Sequence, residues 1–201
     1  MKKKSVLVLL VFAFLFAQCS ILHTLVNLSR VKFKLGNISN VYVEGISVMN
    51  KNKVTDFSAM EALSLTRAIA QGSLRVTMVV NVDALNPNDG KGGYPATNAR
   101  ITSFPWRLVV DGKEFVSGNI ASPFDVPGTG QQVTVPLAVS MDLLKNVQDR
   151  GFQNVVNIIL RIAGLGKGTG NIALYAKPVI GTALGNISYP SEIRIISETF
   201  N

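Results

Sequence analysis

A chain of 201 residues that is 47% apolar and only 16% charged can bury one substantial core, and it is too apolar for a disordered, solvated segment. The formal charge is +8, but Lys2, Lys3 and Lys4 stand apart at the N-terminus, and without them 17 basic residues face 12 acidic ones, a balance of +5. The remaining bases lie singly between Arg30 and Arg194 with no basic stripe or interleaved aromatics, which argues against nucleic acid as a partner.

Lys2 to Lys4 form a positive n-region, and an apolar run of 13 residues follows at 5–17. That is the length of a signal peptide and too short for a spanning helix, which needs about 20 apolar residues. An uncleaved anchor reaching Val26 is the rival reading, although Gln18, Cys19, Ser20 and His23 interrupt it. Cys19 is the only cysteine, so no internal disulfide can form, and it sits where a lipoprotein carries its acylated cysteine. The pattern Leu15-Phe16-Ala17-Gln18-Cys19 resembles a bacterial lipobox and departs from it at Gln18, where a small residue is usual. The alternative is that Ala17 ends an ordinary secretory signal and Cys19 is a stray thiol. Acylation adds about 0.8 kcal/mol per buried methylene, so several chains would hold the domain on a leaflet. No acidic cluster or surface-export signal follows Cys19. The expected address is therefore a bacterial cell envelope, lipid-anchored and periplasm-facing, with the outer membrane as the default. The expected division is a signal peptide at 1–18, a tether at 19–39 and one β-sandwich domain at 40–201.

His23, the only histidine, lies in the tether without a second ligand or a nearby carboxylate, and reads as solvated. Residues 41–48 alternate well enough for a first strand. Ser58-Ala-Met-Glu61 has capping-box form and opens a helix carrying Ala62, Leu65 and Ile69 on one face, which Gly72 ends. The cleanest alternation in the chain runs over residues 74–88. Leu74, Val76, Met78, Val80, Val82 and Ala84 fall on one parity, which predicts a long half-buried strand. Asn86-Pro87-Asn88-Asp89-Gly90 stops it, because proline cannot donate to a ladder and Asn, Asp and Gly accept turn geometry. Asp83, Asn86, Asn88 and Asp89 do not match the spacing of a calcium loop. Residues 96–110 read as a strand with a bulge or edge at Pro105 and with Trp106, Leu108 and Val110 inward. Asp111-Gly112 is the strongest hairpin signal, with residues 113–120 as the returning partner.

Residues 124–130 read as a proline- and glycine-rich connection. Val133, Val135, Leu137 and Val139 then form another strand, and Ser140 is placed to cap a helix bearing Leu143, Leu144 and Val147. Phe152, Val155, Val156, Ile159 and Ile162 recur at helical spacing. The glycine-rich run 164–170 fits neither a phosphate loop nor a dinucleotide motif and reads as a flexible turn. Short strands follow at 172–177, 185–189 and 192–196. Some seven strands joined mostly by short turns indicate a mainly β protein, an antiparallel immunoglobulin- or fibronectin III-like sandwich with one to three short helices.

Several stretches together resemble the late-embryogenesis-abundant type 2 family, which includes the water-stress and hypersensitive-response domain. They are the alternating strand running into Asn86-Pro87-Asn88, then Trp106-Arg-Leu-Val-Val-Asp111-Gly112-Lys-Glu-Phe-Val-Ser-Gly118, then Val133-Thr-Val-Pro-Leu-Ala-Val139, and last Asn171-Ile-Ala-Leu-Tyr-Ala-Lys-Pro-Val179. Order and spacing over residues 40–197 carry the likeness. It implies a single folded sandwich, structural roles for Asn86, Pro87, Asn88, Asp111 and Gly112, no catalytic residues, no cofactor or metal, and an association with desiccation and stress tolerance. The helices at 58–71 and 152–162 depart from it.

Three functions are weighed. The first is a monomeric, non-enzymatic, envelope-anchored binding or protective module, joined to the membrane by its lipid, with its protein or lipid partner unknown. The second is a carrier or sensor of a lipid or other apolar ligand, in which the apolar helices form a lid or dip into lipid. The third is an enzyme. One tether histidine and one acylated cysteine leave triads, metal–histidine sites and thiol catalysis almost without parts, and serine–lysine or paired-carboxylate chemistry stays open only on spacing.

Overall fold

The structure is a computed structural model and describes residues 30–93, 95–147, 150–165, 172–182 and 185–196. The signal segment, Cys19, His23 and residues 166–170 of the glycine-rich run lie outside the described residues.

Three long strands make the first sheet: β1 (Lys32–Val43), β3 (Arg75–Leu85) and β8 (Gln132–Asp142), with the short β2 (Ile46–Ser47) beyond β1. The order is β2-β1-β3-β8, antiparallel throughout. The parity read from residues 74–88 is the parity of burial, since Val76, Met78, Val80, Val82 and Ala84 are all buried. Across the ladder they meet their own kind: Val76 pairs with Met141, Met78 with Val139, Val80 with Leu137 and Val82 with Val135. Apolar side chains opposed on one face are the unit that stabilises a sheet.

The remaining strands are β4 (Ala99–Ser103), β5 (Trp106–Val110), β6 (Lys113–Gly118), β7 (Phe124–Val126), β9 (Ile172–Ala176), β10 (Val179–Thr182), β11 (Gly185–Ser188) and β12 (Ile193–Ile195). They form two further antiparallel sheets, β11-β10-β4-β7 and β12-β9-β5-β6. Place for place the two orders correspond: β4 runs on into β5, β6 into β7, β9 into β10 and β11 into β12. The second layer is one four-column sheet broken across its middle. Prolines cause the break, because Pro105 and Pro178 have no N–H for a ladder. The two broken columns are still laced together there, with Lys177 N–H donating to the Pro105 carbonyl at 2.9 Å.

Phe104, at the break, packs against Phe33 of β1 with ring centroids 5.2 Å apart and meets Phe124 edge-on at 6.5 Å. One core cluster joins both layers. The architecture is therefore a mainly β, antiparallel sandwich with, among the described residues, two α-helices, α1 (Ala59–Gln71) and α2 (Phe152–Ile162). At one end the layers are fastened by Tyr189, whose hydroxyl donates to the Val31 carbonyl at 3.0 Å. Burial pushes that phenol up to about 12.

The capping box at Ser58 and Glu61 forms as its spacing predicts, and Gly72 ends α1 in the left-handed region at φ 81°. Glu61 also takes a 2.9 Å bond from Lys51, which together with the Ser58 N–H holds its carboxyl below the ordinary value. α1 buries Leu65 and Ala68 and leaves Met60 and Leu63 exposed. α2 buries five apolar side chains and packs against α1 and the 3-10 turn Val54–Asp56.

The structure departs from six of these expectations. β1 begins at Lys32, inside the segment read as tether, because Val31, Phe33 and Leu35 already alternate with lysines and are buried. The folded domain thus reaches further toward the N-terminus than residue 40. The strand expected at 41–48 is split by a turn at Glu44 and Gly45, both at positive φ. Pro105 marks a change of sheet and not a bulge within one strand. The connection at 124–130 begins with strand β7, and β10 was not foreseen. Ser140 caps nothing: β8 continues to Asp142, which caps the 3-10 turn Leu143–Lys145 in its place.

Asp142 carries a pH dependence. Burial works to raise its carboxyl, but bonds from Leu74 N–H, the Ser73 hydroxyl and Leu144 N–H outweigh this and hold it below the ordinary value. A carboxyl depressed in the folded state stabilises fully above its unfolded pKa of about 3.9 and loses that contribution as pH falls through the folded value. Asp142→Asn should therefore flatten the fall of urea stability below about pH 4. A fall of unchanged steepness would contradict this assignment.

Candidate functional site

The motif residues of the sequence resolve into two separate places. Asn86 and Asn88, at the end of β3, are 0% and 1% exposed. A buried amide must spend its donors and acceptor, and Asn86 spends three. Its Nδ2 donates to the carbonyls of Thr97 at 2.7 Å and Val126 at 3.0 Å, and its Oδ1 accepts from the Asn88 N–H at 3.1 Å. Asn88 receives Arg30 on its side-chain oxygen at 3.0 Å and Thr97 N–H on its carbonyl at 3.2 Å. Pro87 lies between them, its carbonyl accepting from Asp89 N–H. The loop after Val126 passes so close that a Cβ on Gly128 would stand 2.6–2.7 Å from backbone atoms of Thr97 and Asn88. This polar knot ties β3 to β4 and β7, with its amides consumed internally. It is a structural joint.

Asp111 and Gly112 lie at the other place. Both have positive φ, 50° and 79°, as a two-residue type I′ hairpin requires, and they join β5 to β6. Above that hairpin lies α2, whose Asn154, Ile158 and Arg161 follow at i, i+4 and i+7 and so share one face. Between helix and hairpin is a cleft of about 210 Å³. Val110, Val147, Phe115 and Ile158 make its apolar wall. Val110 and Val147 are buried, and Phe115 and Ile158 are half-buried. Asn146 holds the hairpin near the wall by donating to the Phe115 carbonyl at 2.9 Å.

The rim is charged. Arg161 Nη2 bonds Asp111 Oδ2 at 2.6 Å, while its Nε is buried without a hydrogen-bond partner. Lys113 is exposed on the same rim and has no ion-pair partner among the described residues. Two cations thus face one carboxylate. The sequence showed the hairpin, whose signal is local. It did not show that Asp111 meets an arginine 50 positions later, since no local pattern reports such a pairing.

A second cleft, of about 500 Å³, opens at the break in the second layer beside Trp106, Lys177 and Glu192. Its arginine is already satisfied: Arg107 holds both oxygens of Glu192 at 2.8–3.2 Å and lies 4.3 Å over the Tyr175 ring. That pairing raises the guanidinium and holds the Glu192 carboxyl below the usual range. Trp106 Nε1 is buried with no hydrogen-bond partner, but it has no solvent-facing surface for a ligand to meet. The cleft under α2 is the better candidate.

Among the described residues no group of three or more His, Cys, Asp or Glu side chains could hold a metal ion. Among them, too, no helix is long and apolar enough to cross a membrane.

No family model and no curated protein matches the chain. Solved structures that it matches distantly include a protein from Archaeoglobus fulgidus at 10% identity, covering 83% of this chain and 99% of that one with a TM-score of 0.33. Another is a putative late embryogenesis abundant protein at 14% identity, covering 94% and 85% with a TM-score of 0.34. A third is a protein from Arabidopsis thaliana, also at 14% identity, covering 82% and 83% with a TM-score of 0.28.

Proposed function

We propose that the protein is a non-enzymatic binding or protective module of the late-embryogenesis-abundant type 2 kind, held on a bacterial envelope membrane by acylated Cys19. It faces the periplasm, with the outer membrane as its address and envelope stress or desiccation as its setting. The observation that supports the anchor is the run from Lys2 to Cys19, in which a positive segment and a 13-residue apolar segment end at the lone cysteine. Twelve residues separate Cys19 from Lys32, where the first described strand begins. An acylated chain would therefore keep the sandwich close to the lipid surface. Cys19→Ser should move the full-length protein from the membrane fraction to the soluble one. Retention of the variant in the membrane fraction would remove the lipid anchor from this reading.

The cleft under α2 favours a second reading, in which the module carries or senses an apolar ligand. Pockets for small ligands combine apolar walls with a few placed polar groups, and Val110, Phe115, Val147 and Ile158 beneath a charged rim have that form.

A further inference from the structure

We infer that the cleft between α2 and the β5–β6 hairpin takes one short acyl chain ending in a carboxylate, with the chain inside and the carboxylate at the Arg161–Lys113 rim. The inference rests on the apolar-ligand reading and adds length and charge to it.

Length follows from volume. The cleft's volume of about 210 Å³ lies below the roughly 300–1,000 Å³ of a pocket for a drug-sized ligand, which limits the occupant to a short chain, with octanoate as the probe. Four of the lining residues offer such a chain hydrocarbon, and the amide of Asn146, which also lines the cleft, is turned onto the Phe115 carbonyl. Val110 and Val147 form the buried floor, with Phe115 from the hairpin on one side and Ile158 from the helix on the other.

Charge follows from the rim. A guanidinium has five N–H donors, and among the described residues Arg161 uses one, on Asp111. Lys113 adds a full positive charge without a carboxylate of its own among those residues. An incoming anion therefore meets a net positive mouth. It can share the Arg161 plane with Asp111, since guanidinium–carboxylate geometry allows a second acceptor. A neutral chain of equal length would fill the same volume and gain nothing from Arg161, which stays on Asp111, or from the exposed Lys113, so the site discriminates by charge at the mouth and not by shape within.

The test uses the full-length protein in phosphatidylcholine nanodiscs with a photoreactive diazirine analogue of octanoate, the labelled residues being mapped by mass spectrometry. Labelling is expected at Phe115, Val147 and Ile158, with octanoate competing at least tenfold better than octanol. Arg161→Gln should weaken the octanoate competition by about tenfold, the weight of one charge-assisted bond, and leave octanol unchanged. Among the described residues the Arg161 side chain bonds only Asp111, so the thermal transition of Arg161→Gln, measured alongside, should stay close to that of the wild type. Ile158→Trp, which fills the cleft, should abolish labelling with the thermal transition retained. Equal competition by octanol and octanoate, unaffected by Arg161→Gln, would overturn the carboxylate assignment while leaving the apolar-ligand reading in place. Labelling outside the cleft, or labelling that survives Ile158→Trp, would overturn both.

Discussion

Phe104→Ala is expected to cost about 3–5 kcal/mol of folding stability, the range for removing a buried aromatic ring and leaving its cavity. Phe104 is 1% exposed and sits at the break in the second layer. Its ring reaches across to Phe33 of the first sheet and sideways to Phe124. Packing against β1 in one layer and β7 in the other is thus lost at one point. The Phe104 N–H is held on Asn119 Oδ1 at 2.7 Å, and Asn119 also reaches Ser103 and Ile120. The backbone at the break is fixed from outside as well as from within. Urea denaturation should show a lower midpoint with an unchanged slope, as a loss of stability without a change of compactness requires. A cost under about 1 kcal/mol would mean that the two layers are not joined through this ring.

Asn86→Ala should cost about 3 kcal/mol, for a different reason. It removes three hydrogen bonds and leaves the Thr97 and Val126 carbonyls and the Asn88 N–H without their partner in a dry interior. Each buried group left unsatisfied costs about 1–3 kcal/mol. Asn86→Asp should be no better. A carboxylate keeps the acceptor but replaces the amide donors with oxygen facing two carbonyls. Hydrogen exchange at Thr97 and nearby amides should speed up in both variants beyond the global change, since β4 and β7 are tied to β3 at this knot. Exchange that accelerates uniformly over the protein would indicate that Asn86 contributes only bulk stability.

These two residues show what was legible in the sequence and what was not. The alternation over residues 74–88 was legible because one face of β3 is buried along its whole length, so a period of two is written without interruption. The stop at Asn86-Pro87-Asn88 was equally plain as turn chemistry. That Asn86 would be fully buried could not be read, because its partners are backbone carbonyls at 97 and 126, which any residue supplies. β1 was hard to see for a related reason. Its buried side chains keep one parity at both ends, Phe33 and Leu35 and then Val41 and Val43, but none is buried over 36–40, where the pairing with β3 slips twice, so the alternation is interrupted in the middle. At Ser140 a local rule misled. Serine before two leucines looks like a cap, but Met141 keeps the buried parity of Leu137 and Val139 and pairs with Val76, so the strand wins one more turn of the ladder before Asp142 ends it.

The candidate cleft was legible by halves. Asp111-Gly112 announced the hairpin, and the periodicity of residues 152–162 announced the helix above it. Their facing one another is a tertiary fact, and so is the bond from Arg161 to Asp111. The mainly β, antiparallel architecture followed from strand spacing, whereas the division of the second layer at Pro105 and Pro178 did not. A proline inside an apolar run can mean an edge, a bulge or a change of sheet, and only the pairing of the flanking strands decides among them.

The measurement that bears most directly on the proposed acyl-chain cleft is native mass spectrometry of the full-length protein, purified gently from the cells that made it. The account predicts one acyl carboxylate per chain, lost from Ile158→Trp and retained by Met60→Ala on the exposed face of α1. A wild-type protein that emerges with no adduct, or an adduct that Ile158→Trp still carries, would contradict it.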